Sequence, residues 1–390
     1  MQFSERTSRI SISPLTAIFQ KAQELKAQGA ELLDFGAGEP DFPTPEHIKQ
    51  AAVEALRQNF TKYTPTGGIP ELKEAIIERH ARDFGSSYKV DECQVTVGGK
   101  QAIFEAISVA VGHGDEAILA APYYPSFFDT IRYAGGKVVL VYPPESENFI
   151  LRASAVEKLL TPKTKMIIVN SPSNPTGAVV PPEEMEKILA LAERHNVLLL
   201  SDECYCQFIY DGLKPFSLGA FPNRENLLLV GSMSKTYAMT GWRLGFALGS
   251  AKLLANMLKV QSHCTSNPVS FAQKAAVAAL EGPQVSVEEM RAAYQARRDQ
   301  IVAGLRAIPD IRCVQPQGAF YVYPNVGAYL KRGGLEGTVA LASRLLDESG
   351  VVVVPGLAFG TDEHIRLAYA TAPEKISAGL NKLADFFARL

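Results

Sequence analysis

Between residues 94 and 250, short, mostly unbroken apolar runs alternate with longer segments of helical period. The runs are Val95-Thr96-Val97, residues 117–120, 138–141, 166–169, 197–200, 227–230 and 245–248. Runs of that length, without polar residues at every second position, suit strands covered on both faces. Intervening stretches such as residues 182–195 have helical length and period. The pattern predicts an α/β fold, a mainly parallel seven-stranded sheet with helices on both faces. Helices are expected before it, near residues 14–28, 45–58 and 70–84. Beyond about residue 282 the alternation stops. A long helix over 287–306, the segment Gly318-Ala319-Phe320-Tyr321-Val322-Tyr323, a helix over 339–349, residues 351–355 and Ile365-Arg366-Leu367-Ala368-Tyr369 predict a smaller α+β domain. The expected division is a large domain over 46–281 and a small domain formed by 1–45 and 282–390.

Length supports that division, since 390 residues exceed what one core usually fills. A net charge of −2, from 39 basic and 41 acidic residues, argues against a nucleic-acid or membrane-surface partner. The first residues, Met1-Gln2-Phe3-Ser4-Glu5-Arg6, lack the apolar run of a signal peptide, and no stretch approaches membrane-spanning length, so a cytoplasmic location is expected. Five cysteines without a CxxC favour neither a disulfide framework nor a zinc site. The six histidines are scattered singly and carry no assigned chemistry.

The candidate chemistry lies where the apolar runs end. Residues 227–230 break at Gly231 into Ser232-Met233-Ser234-Lys235, and Arg243 follows Gly241. Two hydroxyls and a guanidinium suit a phosphate, and the amine suits a carbonyl; a solvated turn rich in Ser and Gly has the same composition. In parallel sheets ligands gather at the carboxyl ends of strands, so the other run ends are informative. Gly98-Gly99-Lys100-Gln101 opens a helix, which makes an anion site of its free amides. Pro122-Tyr123-Tyr124-Pro125 offers an aromatic face, residues 170–177 hold the Asn174 amide between prolines, and Ser201-Asp202-Glu203-Cys204-Tyr205 brings an acid to the edge. Near the start, the glycine-rich loop Gly36-Ala37-Gly38-Glu39-Pro40-Asp41 allows close backbone approach to a ligand.

Asn174-Pro-Thr-Gly, Asp202-x-x-Tyr205, Ser232-x-Ser234-Lys235 and Arg243, in this order, resemble the class I/II aminotransferases among the fold-type-I pyridoxal-phosphate enzymes. The likeness extends to Gly36-Ala-Gly-Glu-Pro-Asp and His364-Ile-Arg366-Leu-Ala-Tyr, and comes nearest the prokaryotic aspartate-type subgroup. It implies that Lys235 carries pyridoxal 5′-phosphate covalently and then serves as base at the substrate Cα, with Asp202 on the pyridine nitrogen and Tyr205 and Asn174 on the phenolic oxygen. Gly99, Lys100, Ser232, Ser234 and Arg243 would hold the phosphate. Tyr124 would stack on the ring, Arg366 would grip the substrate α-carboxylate, and Gly38, Tyr124 and Asn174 would line the substrate site. Tyr63 would reach the phosphate of a neighbouring subunit, which implies a homodimer with shared sites.

The implied reaction is ping-pong transfer of an amino group from an L-amino acid, aspartate-type or aromatic and neutral, to a 2-oxo acid such as 2-oxoglutarate. Some dicarboxylate-specific relatives carry a lysine where this chain has Ser13, which weakens aspartate as donor. A carbon–sulfur β-lyase on the same cofactor site and a non-catalytic ligand-binding relative are the alternatives. The completeness of the Asp202, Lys235 and Arg366 set argues against the second.

Overall fold

The computed structural model describes residues 3–10, 15–222 and 224–390, and Ser13 lies outside them. A two-residue strand, β1 (Leu33–Asp34), precedes the helices Glu46–Arg57 and Pro70–Phe84. The predicted runs then form β2 (Cys93–Thr96), β3 (Glu116–Ala120), β4 (Lys137–Val141), β5 (Thr164–Asn170), β6 (Leu198–Asp202), β7 (Leu227–Ser232) and β8 (Gly245–Gly249). They make one sheet in the order β2-β8-β7-β6-β5-β3-β4. Only β8 runs against the others, antiparallel to both β2 and β7.

Residue parity explains why the runs are apolar throughout. Ile167, Val169, Leu199, Leu227, Leu229 and Leu248 bury one face against the helices Glu46–Arg57, Pro70–Phe84 and Pro182–His195. Met166, Ile168, Leu200, Leu228, Val230 and Ala247 bury the other against the helices Gly99–Ala110, Pro125–Ala134 and Ala251–Cys264. Successive side chains point to opposite faces, so a sheet covered on both sides is mostly apolar along each strand, and buried polar residues within it, such as Gln94 and Ser201, are hydrogen-bonded. Helix boundaries follow local chemistry in the same way. Pro182–His195 starts with proline in its first turn and Glu183 and Glu184 nearby, carries Arg194 and His195 in its last turn, and stops at Asn196 in the left-handed conformation.

The remaining strands are short. β1 pairs in parallel with β10 (Val351–Val352), while β12 (Ile365–Ala368) lies antiparallel between β9 (Tyr321–Val322) and β11 (Val354–Pro355). Around them lie the helices Val285–Arg306 and Gly337–Ser349, together with Pro373–Phe387, which the sequence pattern did not predict. A separate core of Phe35, Phe320, Val322, Leu341, Leu367, Leu383 and Phe387 holds these elements together. No helix among the described residues is long and apolar enough to cross a membrane.

Candidate active site

Strand register sets the site. Asn170 at the end of β5 lies opposite Asp202 at the end of β6, and Ser232 at the end of β7 lies opposite Gly245. The polar residues that terminate three strands therefore face one cavity, of about 480 Å³, at the carboxyl edge of the sheet. Gly38, Gly99, Lys100, Tyr124, Asn174, Asp202, Tyr205, Ser232, Ser234, Lys235, Arg243 and Arg366 all line it. Tyr63 does not; it stands 92% exposed on the outer surface.

One end of the cavity is dry. Asp202 is 6% exposed, and its Oδ1 accepts a hydrogen bond from the Cys204 amide at 3.1 Å. No ion pair reaches it among the described residues, and burial raises its pKa above the usual carboxylate range. Burial pushes the neighbouring Cys204 thiol well up, so it stays protonated and inert. Lys235 enters from the short helix Met233–Thr236 that follows β7, and Nζ donates to the Gly38 carbonyl at 2.5 Å. Desolvation lowers its pKa to about 8, with the Arg366 and Arg243 charges acting in the same direction. An amine held this way is a nucleophile and base near neutral pH.

Strand β12 supplies Arg366, 7% exposed rather than on the surface. Nη2 donates to the Gly36 carbonyl at 2.7 Å and Nη1 to Asn174 Oδ1 at 3.1 Å, while Nε has no partner. The guanidinium lies 4.5 Å from the Tyr321 ring centre, and the Tyr321 hydroxyl meets that of Tyr205 at 2.8 Å. A β-carbon at Gly38 would come within 2.9 Å of the same hydroxyl, so glycine is what lets the loop approach. Asn174 is held from behind, its amide nitrogen donating to Asn170 Oδ1 at 2.8 Å.

The other end is wet and built for an anion. The amides of Gly99 and Lys100 begin a twelve-residue helix and have no intrahelical acceptor. Gly98 caps that helix at φ +77°, and a β-carbon there would collide with the Arg243 guanidinium, so arginine and helix terminus share one spot. Arg243 itself adopts a left-handed backbone (φ 54°), and Nη1 donates to the Thr240 carbonyl at 2.9 Å. Ser232 Oγ accepts from the Ser234 amide at 3.1 Å. Lys100 is exposed, lies 5.6 Å from the Tyr124 ring centre, and makes no hydrogen bond or ion pair among the described residues.

Sequence reasoning missed Tyr321, Asn170 and Thr240. Tyr321 sits inside an apolar segment and reads as core, and Asn170 reads as part of the loop around Asn174. Thr240 Oγ1 donates to Glu39 Oε2 at 2.8 Å across the cavity mouth, a contact between positions 201 apart in the chain.

The profile described as "Aminotransferase class I and II" matches residues 30–383. The aspartate aminotransferase of Bacillus sp. (strain YM-2) is 40% identical over 385 residues, spanning 98% of each chain. The aspartate/prephenate aminotransferase of Thermus thermophilus is 42% identical over 389 residues, spanning 99% of each. Among solved structures, the aspartate aminotransferase of Rhizobium meliloti superposes with a TM-score of 0.95 at 39% identity, covering 100% of both chains. That of Thermus thermophilus with maleate gives 0.94 at 42% identity, covering 99% of both.

Proposed function

The chain belongs to the class I and II aminotransferase family, pyridoxal-phosphate enzymes that transfer amino groups, and on that premise we propose that it transaminates a dicarboxylic L-amino acid, aspartate first, against 2-oxoglutarate. One observation carries the reading. The amine of Lys235, brought to about pH 8 by burial, shares a cavity with a buried carboxylate, Asp202, that lacks a cationic partner.

Those residues fit the cofactor. A pyridinium nitrogen would supply the positive charge that Asp202 lacks, an aldehyde suits Lys235, and a phosphate suits the free amides, hydroxyls and guanidinium at the wet end. Bound there, pyridoxal phosphate supplies a carbonyl that exchanges amines and a ring that accepts the electron pair left when the substrate Cα–H bond breaks. Asp202 would hold the proton on the ring nitrogen, and Tyr205 and Asn174 would hydrogen-bond the phenolic oxygen. Ser232, Ser234, Arg243 and the Gly99 and Lys100 amides would hold the phosphate, and Tyr124 would stack on the ring. With the cofactor bound, Lys235 Nζ would be the base that takes the proton from the substrate Cα and the acid that returns it. Arg366 releases its bonds to Asn174 and Gly36 and turns two parallel N–H groups on the α-carboxylate, with Gly38 backbone beside it.

Aspartate is supported by the names of the full-length relatives, by maleate, a dicarboxylate, in the Thermus structure, and by Lys100, an ammonium at the cavity wall with no ion pair among the described residues and suited to a second carboxylate. Tyr63, far too exposed for a free aromatic, supports a homodimer in which it completes the neighbouring site. Five unpaired cysteines support a reducing, cytoplasmic setting. The test is a donor screen. Aspartate alone should convert the bound cofactor to its aminated form, which 2-oxoglutarate should then reverse. A donor that leaves the spectrum unchanged while a cysteine conjugate releases pyruvate and ammonia would replace this reading with β-elimination.

A further inference from the structure

Two glutamines with 0% exposure, Gln261 and Gln273, grip the loop that carries Tyr63. Gln273 Oε1 accepts from the Ile69 amide at 2.9 Å, and Nε2 donates to Thr64 Oγ1 at 3.0 Å and the Pro268 carbonyl at 2.9 Å. Gln261 Nε2 donates to the carbonyls of Thr66 at 2.7 Å, Val95 at 3.1 Å and Ser266 at 3.3 Å. Ser270 Oγ ties down the other flank through the Phe60 carbonyl at 2.8 Å. At Gly68, φ is +98° and a β-carbon would strike the Val95 side chain, so the loop lies directly on β2.

A loop fixed at Phe60, Thr64, Thr66 and Ile69 cannot fold its aromatic back, yet Tyr63 faces solvent at 92% exposure. Rigid presentation of an exposed aromatic is what an interface requires, because the ordering cost is met before the partner arrives. Buried amides are themselves expensive unless fully bonded, so two at one loop imply that its fixed geometry matters. Leu258 and Val269, exposed at 37% and 43%, stand on the segments that carry these glutamines and give the same face an apolar surface.

Resting on the shared-site dimer above, we propose that Gln261 and Gln273 are positioning residues that act in trans, fixing Tyr63 so that it meets the cofactor phosphate in a second copy of this chain. The strap also leads inward. Gln261 Oε1 accepts from Gln94 Nε2 at 2.6 Å, which in turn reaches Glu105 Oε2 at 2.9 Å on the helix Gly99–Ala110. The loop lent to the partner is thereby joined to the helix that binds the lender's own phosphate.

Mixed dimers of holoenzyme test it. Pairing wild type with a chain carrying both Lys235→Ala and Gln273→Leu leaves one covalent site, whose Tyr63 comes from the altered loop. Cofactor release into inorganic phosphate, followed by absorbance, should be about tenfold faster than in a dimer of wild type with Lys235→Ala. Pairing Gln273→Leu with Lys235→Ala gives the remaining site an intact borrowed loop, and release should match the control. Equal loss in both arrangements, or loss only in the second, overturns the proposal. Thr64→Val, which removes one bond on a half-buried residue, serves the same design if Gln273→Leu does not fold. Tyr63→Phe in the lending chain should also speed release; if it does not, the shared-site dimer fails with it, whereas a Tyr63 effect without a Gln273 effect sinks the glutamine assignment alone.

Discussion

At one end of the cavity Asp202, Asn174 and Arg366 are almost wholly buried and bonded to main chain or to each other; at the other, Arg243 and Lys100 reach into solvent beside a bare helix terminus. The two ends use charge differently. In the dry end the surroundings act on protonation itself, raising the pKa of Asp202 and lowering that of Lys235, so these two groups are tuned for a step. In the wet end the donors are many, amides, hydroxyls and a guanidinium, and holding power comes from their number. Substitutions in the dry end should therefore damage turnover, and those in the wet end should damage binding.

The strongest test is Lys235→Ala, which removes both covalent anchor and base. Turnover should fall by at least ~10⁴-fold, and borohydride should leave no label on the chain, while cofactor still binds noncovalently. Asp202→Asn keeps the shape but not the charge; kcat should drop by roughly 10²–10³-fold with cofactor bound at near wild-type occupancy. If Asp202→Asn instead released the cofactor with kcat preserved, the contrast between tuning and holding would be broken. Covalent capture of added cofactor by apoprotein sharpens it further. Only the neutral amine attacks a carbonyl, and burial disfavours the ammonium, so the capture rate should climb with pH and level off near about 8. An unburied lysine would keep climbing toward about 10.4. The smallest effect belongs to the wet end. Lys100→Met should raise KM for aspartate about fivefold while leaving kcat and neutral donors nearly unchanged, since the ammonium is exposed.

Residues at both ends of the cavity were legible in the sequence where they follow a strand. Because both faces of the sheet are covered, runs such as 198–200 and 227–230 are apolar at both parities, and polar residues gather where each run ends. Asp202, Asn174 and Lys235 were legible for that reason. The reversal of β8 was not, since residues 245–248 would be equally apolar in either direction. Tyr321 was hidden because a phenol within Phe320-Tyr321-Val322 reads as core, and its partner Tyr205 is 116 positions away. The helix Pro373–Phe387 escaped because its buried face is wide: Ile376, Gly379, Leu383, Phe386 and Phe387 all turn inward, and Gly379 packs against Phe35 from the start of the chain.

The hydrogen bond from Lys235 Nζ to the Gly38 carbonyl joins the end of β7 to the N-terminal loop across the cavity. The amine that would hold the cofactor is thus also a clasp between stretches of chain 197 positions apart. Lys235→Ala removes that clasp, so hydrogen exchange around residues 36–39 should quicken in the variant.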